Sequence, residues 1–249
     1  MEKKKVLFAG ESWFYMTTET KGFDQFTIGG YQTEIGRVKD YMRDIAEITH
    51  IPAHLVLEEF PGTVGELQQY DAVIVSDVGA NTFLLHPNTF NKSIPTPNRL
   101  QNIADYVNKG GAFGMMGGYM SFMGIEGKAN YHHTVIEEIL PVVMENGDDR
   151  EEHPEGIHIS KVQDTHWLLR DCDEEWPILL GFNRLKAKRG TEVILHYKDY
   201  PILTVGNYGK GKTFAWASDC APHWMPEEFC ESRNNKTLWE NIITYITEK

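Results

Sequence analysis

The sequence predicts a doubly wound α/β fold, a mostly parallel sheet with helices on both faces that gains an antiparallel extension in its C-terminal half. Three observations carry this. Apolar strand-like runs alternate with helix-period segments through the first 120 residues, short β-rich runs separated by turn residues follow after residue 140, and an amphipathic segment comes last.

Val6 to Ala9 is an apolar run ending at Gly10, the pattern of a buried first strand. Ile35, Val38, Tyr41, Met42, Ile45 and Ile48 recur at spacings of three and four, which predicts one helix from near Thr33. Ala72 to Val75 is a continuous apolar run, β-branched from Val73 on, and suits a strand covered on both faces. In the next helix Thr96 stands as N-cap, Pro97 at the first helical position, and Gly110-Gly111 as a stop. Ala112 to Met116 reads as another central strand. Ile157 to Val162, Glu192 to Tyr197, Ile202 to Val205 and Thr213 to Ala217 make the extension, and the acidic stretch Glu145 to Glu155 reads as an exposed loop. Leu238, Trp239, Ile242, Ile243 and Ile246 form the apolar stripe of the last helix. A chain of 249 residues with no linker-like tract reads as one domain, residues 1–249.

The formal net charge of −12 repels phosphates, and neither Lys3 to Lys5 nor Lys186 to Arg189 offsets it, which argues against nucleic acid or an anionic membrane as partner. The first residues are too briefly apolar for a signal-peptide core or a membrane span, so the chain reads as cytoplasmic. Cys172, Cys220 and Cys230 are odd in number and have no CxxC spacing, as in a reducing compartment. No cofactor is predicted. GNYGKGKT, Gly206 to Thr213, formally matches the phosphate-loop pattern, but a β-rich run follows where a helix must begin, so it reads as a hairpin turn.

Ligands of doubly wound sheets sit beyond the carboxyl ends of the strands. Four loops there carry the candidate chemistry: Gly10 to Trp13, Ser76 to Asn81, Gly117 to Phe122 and Ser218 to Trp224. Glu11 is an acid at the end of an apolar strand, placed to receive hydroxyls or an amine, or to salt-bridge a neighbouring loop. Asp219 with His223 can form a general-base pair, the carboxylate orienting the ring; the bland alternative is a loop-capping Asp beside a packed His. Gly117-Gly118 permit a strained strand-to-helix elbow, yet no cysteine or serine stands in it. Ser121 is a ligand contact or a helix N-cap, and its residue type favours the cap. Trp13, Asp77, Gly79, Gly117, Gly118, Tyr119 and Ser121 are the expected ligand-binding set, and Cys220 reads as a small buried hydrophobe. No metal ligand is assigned: His132-His133 are adjacent, side chains so placed usually diverge, and only together with His223 would they make a zinc site.

The segments LFAGESW, AFGMMGGYMSFMGIEGKANYH and GKGKTFAWASDCAPHW together resemble a family of glutamine amidotransferase-like proteins, of the class I glutamine amidotransferase-like superfamily, similar also to trehalose-utilisation-type proteins. The likeness runs from Val6 to the last helix and implies a flavodoxin-like α/β sandwich. It also implies an elbow cysteine and an H-x-E pair, and here the sequence departs. The elbow falls at Met116 or Gly117, and residue 225, two after His223, is methionine. The expected function is therefore a small-molecule pocket of this family without glutaminase activity, acting on a small polar substrate. The alternatives are a non-catalytic metabolite binder or scaffold, and a metal-dependent hydrolase. Self-association into a homo-oligomer is also expected from the superfamily.

Overall fold

The computed structural model describes residues 2–163 and 165–248. Strand β1 (Lys4–Gly10) runs into a hairpin of two ten-residue strands, β2 (Ser12–Lys21) and β3 (Asp24–Thr33). Helix α1 (Ile35–Tyr41) leads to β4 (Ala46–Ile51), and short helices α2 (Val56–Glu59) and α3 (Val64–Leu67) precede β5 (Ala72–Ser76). Next come α4 (Ala80–Leu84), α5 (Pro87–Lys92), α6 (Arg99–Asn108) and β6 (Ala112–Met116). Then α7 (Val135–Ile139) is followed by β7 (Val142–Met144), β8 (Arg150–Ile157), β9 (Ser160–Lys161), β10 (Leu179–Asn183) and β11 (Leu185–Ala187). Strands β12 (Glu192–Tyr197), β13 (Tyr200–Tyr208) and β14 (Gly211–Trp216) precede α8 (Glu227–Glu231) and α9 (Arg233–Thr247).

The main sheet has eight strands in the order β4-β1-β5-β6-β14-β13-β12-β9. The first five run parallel, and β13, β12 and β9 extend the sheet antiparallel. This is the flavodoxin-like α/β arrangement. The all-apolar run Val6 to Ala9 and all of β5 and β6 are buried because α6 covers one layer of the sheet while α1 and α9 cover the other. Placing β1, β5, β6 and β14 side by side brings their four following loops to one edge, and that edge is where the candidate chemistry collects.

Four expectations about the elements are corrected. The apolar stripe from Ile35 is not one helix: α1 stops at Tyr41, and Ile48 belongs to β4, an edge strand paired with β1. A strand with one covered face and an adjoining helix can mimic a single 3.6-residue period over so short a span. Helix α6 starts two residues later than expected, because the Asn98 side chain accepts the Gln101 N–H at 3.1 Å, while Thr96 instead bonds the Thr89 hydroxyl. The stretch 145–155 is not simply a loop: Arg150 to Ile157 is β8, paired with β10, and Asp149 is fully buried. Ile157 to Val162 is broken between the end of β8 and the two-residue β9. The hairpin at Gly209-Lys210 joins β13 to β14, so the phosphate-loop look-alike is a turn, as the sequence indicates. Among the described residues, no helix is long and apolar enough to cross a membrane.

Candidate functional site

The elbow after β6 leaves no room for a nucleophile. A Cβ on Gly117 would lie 2.3 Å from the Ala217 carbonyl oxygen and 2.7 Å from Asn183 Oδ1. Gly118 has φ +142°, a conformation side chains avoid, and a Cβ there would stand 2.5 Å from Asp77 Oδ1. The elbow amides are also committed: Gly117 N–H donates to Trp216 O at 2.8 Å and Gly118 N–H to Asn183 Oδ1 at 3.0 Å. Neither donor is therefore free to serve a developing oxyanion.

The loops after β5 and β6 lock each other. Asp77 Oδ1 accepts the Met120 N–H at 2.6 Å, and Ser121 Oγ accepts the Asp77 N–H at 2.9 Å. Ser121 is fully buried and caps no helix, which corrects the reading that favoured an N-cap; its hydroxyl positions Asp77. Gly79 is buried against Met120 and Ala129, away from the cavity lining. Behind the elbow, Asn183 and Asp149 form a buried polar knot: Asn183 Nδ2 donates to Asp149 Oδ1 and to Gly118 O, and Asp149 also accepts the N–H groups of Met123 and Gly124.

A cavity of about 310 Å³ opens at this edge, lined by Glu11, Trp13, Asp77, Tyr119, Asp219 and His223, with Pro222 beside them. Glu11 is 4% exposed, and its Oε2 accepts the Ser76 hydroxyl at 3.1 Å and the Cys220 thiol at 2.9 Å. No cation pairs with it among the described residues, so the salt-bridge alternative falls. Asp219 Oδ1 accepts the Cys220 N–H at 2.7 Å, and its Oδ2 meets His223 Nδ1 at 3.2 Å. The Tyr119 ring stands edge-on to His223 at 4.4 Å, its hydroxyl donates to Glu152, and the Arg150 guanidinium lies 4.6 Å from its centroid.

Electrostatics follow from three carboxylates in one partly dry site. Burial, followed by the like charges of Asp219 and Asp77, raises Glu11 well above the ordinary carboxylate range and so favours its protonated form. Burial and Asp219 push Asp77 up to about 7. Burial alone would lower His223, but the hydrogen bond and charge of Asp219 outweigh it and raise the imidazole. Burial and the Glu11 charge push the Cys220 thiol well up, so it is protonated and a poor nucleophile. One consequence concerns stability. A carboxyl whose folded value is raised contributes stability that is complete below its ordinary value and is lost as pH rises through the raised one, here about 7. Asn accepts the same Met120 bond and tolerates the φ of +53° found at Asp77. Asp77→Asn is therefore expected to melt with wild type in acid and several degrees above it at mildly alkaline pH, as thermal melts across the pH range would show; parallel curves would refute the shared-charge account.

Of the ten residues singled out in the sequence, Glu11, Trp13, Asp77, Tyr119, Asp219 and His223 converge on one cavity, whereas Gly117, Gly118 and Ser121 shape it from behind and Gly79 lies outside it. Sequence reasoning missed Asp149 and Asn183, and named Ser76 only as the start of a candidate loop. Asn183 and Asp149 sit in stretches with no motif, and only their burial marks them. The three histidines do not assemble: the His132 and His133 rings lie tilted with centroids 3.6 Å apart and share Glu137, while His223 pairs with Asp219. The adjacent rings do not diverge as expected, because Glu137 accepts both the His132 Nδ1 and the His133 backbone N–H. A second donor group, Glu11, Asp219 and Cys220, brings one oxygen or sulfur each within 4.8 Å of the others.

A glycine elbow at the end of a central strand in a flavodoxin-like sheet, with an Asp–His pair on a neighbouring loop, is consistent with the fold of class I glutamine amidotransferase-type proteins. Residues 5–248 match the model of the family described as "putative glutamine amidotransferase", and the chain belongs to that family. It is similar to the solved structure of a cytoplasmic protein from Salmonella typhimurium, with 41% identity, 97% of this chain and 98% of the other covered, and a TM-score of 0.93. More distant likenesses show the fold alone. A ThuA-like protein from Parabacteroides merdae gives 9% identity, coverage of 99% and 91%, and a TM-score of 0.57. A glutamine amidotransferase from Thermotoga maritima gives 13% identity, full coverage of both chains and a TM-score of 0.51. No curated protein matches the chain significantly.

Proposed function

We propose that this chain acts, as one domain in the cytoplasm, on a small polar molecule that enters the cavity at the carboxyl edge of the sheet, and that it does so without glutaminase chemistry. The observation that carries this reading is the convergence of Glu11, Asp77 and Asp219 on a cavity whose lining has no fixed cation. Such a pocket favours hydroxyls or a cationic amine on the ligand and disfavours an anion. Glu11 is the proton donor, the Asp219–His223 pair is the acid–base unit, and Tyr119 and Trp13 supply apolar walls. The cytoplasmic relative from Salmonella typhimurium supports the compartment.

Glutamine hydrolysis lacks its parts: the elbow holds no nucleophile, its amides are spoken for, and the one thiol nearby is buried and protonated. Ammonia release from glutamine is expected at the no-enzyme rate, both for wild type and for Cys220→Ser. Turnover that Cys220→Ser abolishes would overturn the reading. The grouped donors of Glu11, Asp219 and Cys220 favour a metal-assisted hydrolase as the second reading, with a divalent cation displacing the protons of Glu11 and Cys220. Equimolar zinc retained by wild type and lost in Asp219→Ala would decide for it.

A further inference from the structure

Strands β2 and β3 form an arm that pairs with no other strand among the described residues. Its apolar side chains are bare: Met16 is 78% exposed, Tyr15, Phe26 and Ile28 are each at least two-fifths exposed, and Phe23 at the tip is wholly exposed. An isolated two-stranded ribbon is marginal in water, so an arm with this surface calls for something to lie against. We propose that the occupant is a second copy of this chain, in a two-fold pair whose arms lie side by side and antiparallel, each Phe23 seated in a groove at the root of the other arm.

The root and the groove are adjacent in the structure. Phe14 and Tyr31 pack on His54 with ring centroids 5.0 and 5.5 Å apart. Three residues beyond His54, Leu57 lines a groove of about 300 Å³ together with Leu85, Pro87 and Phe90, the other lining groups being polar and uncharged. Phe90 is 71% exposed there. The arm is too stiff and long to fill its own groove: ten extended residues span roughly 33 Å, which carries the tip away from the root. In an antiparallel pair of arms that same length brings each tip to the partner's root.

Charge and area point to a like chain. A body of net charge −12 repels its copies, but the arm carries only Glu19, Lys21 and Asp24, and Lys21 already pairs with Glu19 at 3.1 Å. The face of Tyr15, Phe26 and Ile28 is set by the register Tyr15↔Gly30, Thr17↔Ile28 and Glu19↔Phe26. One ribbon face covers roughly 330 Å² per arm, and with two phenyl-in-groove contacts the pair buries about 1,200 Å², the lower end of specific dimers.

Sedimentation velocity on the full chain at micromolar concentrations tests this. Wild type is expected at twice the chain mass. Phe23→Glu and Phe90→Glu are each expected to weaken the pair by about 30-fold or more, with the circular dichroism of the sheet and helices unchanged because both side chains are exposed on the single chain. In a Cys172→Ser background, oxidising a mixture of Phe23→Cys and Phe90→Cys chains is expected to give a disulfide-linked pair, and neither chain alone is expected to do so. A single-chain mass for wild type at every concentration, or a dimer that survives both glutamates, would overturn the proposal and leave the arm to another kind of partner.

Discussion

Asp149→Ala is expected to cost about 3–5 kcal/mol of folding stability, a large share of the 5–15 kcal/mol a domain of this kind has. Asp149 is fully buried, yet its carboxylate accepts the Met123 N–H at 3.0 Å, the Gly124 N–H at 2.8 Å and the Asn183 amide at 2.8 Å. Truncation strands all three donors in a dry site, and an unmade buried bond costs more than a made one contributes. Asp149→Asn keeps one acceptor and turns an NH₂ toward an N–H, so its cost should fall between the two. Guanidinium unfolding measures both. A midpoint for Asp149→Ala close to wild type would mean that water enters and replaces the carboxylate, and the knot would lose its structural standing.

That knot also shows what the sequence could and could not disclose. Val6 to Ala9, Ala72 to Val75 and Ala112 to Met116 announce themselves because a strand buried on both faces must be apolar at every position, whatever its neighbours. The carboxyl-edge rule then leads from the first two to Glu11 and Asp77, and from the later run Thr213 to Ala217 to Asp219, without any motif. Asp149 gives no such signal. Its burial depends on β8 crossing behind the elbow to pair with β10, a contact between residues 34 apart that an acidic run such as ENGDDREE does nothing to advertise. The arm was legible in principle: Trp13 to Thr20 and Gln25 to Thr33 are rich in aromatic and β-branched residues around Lys21-Gly22. Those same residues are exposed on both faces, and apolar content in a strand ordinarily signals burial, so the pattern resembles part of the core while it stands outside it. The elbow departs from the cysteine that the superfamily resemblance implies for a packing reason too. With Ala217 O and Asn183 Oδ1 crowding Gly117, a cysteine there would need the β14 loop to move.

Asp219→Asn is expected to lower the His223 titration, and to cut any turnover in the cavity by about 10²–10⁴-fold. Opposed influences act on the ring. Burial disfavours the imidazolium, and the Asp219 carboxylate at 3.2 Å favours it and wins. Asn is nearly the same shape and its oxygen still accepts the Cys220 N–H, so the loop keeps its fold while burial is opposed only by the lesser pull of Glu152 and Asp77. The remaining NH₂ faces Nδ1 and selects the tautomer with its proton on Nε2, which turns the outward nitrogen from acceptor to donor. An acid–base role needs that nitrogen free to take a proton from a ligand held between Glu11 and Tyr119, so both effects of the substitution act against turnover. Proton NMR of the His223 ring across pH reads the first effect with no knowledge of the substrate. Should the resonance titrate unchanged in Asp219→Asn, the carboxylate is not what sets the ring's charge, and His223 would be a wall of the pocket beside Tyr119 instead of its base.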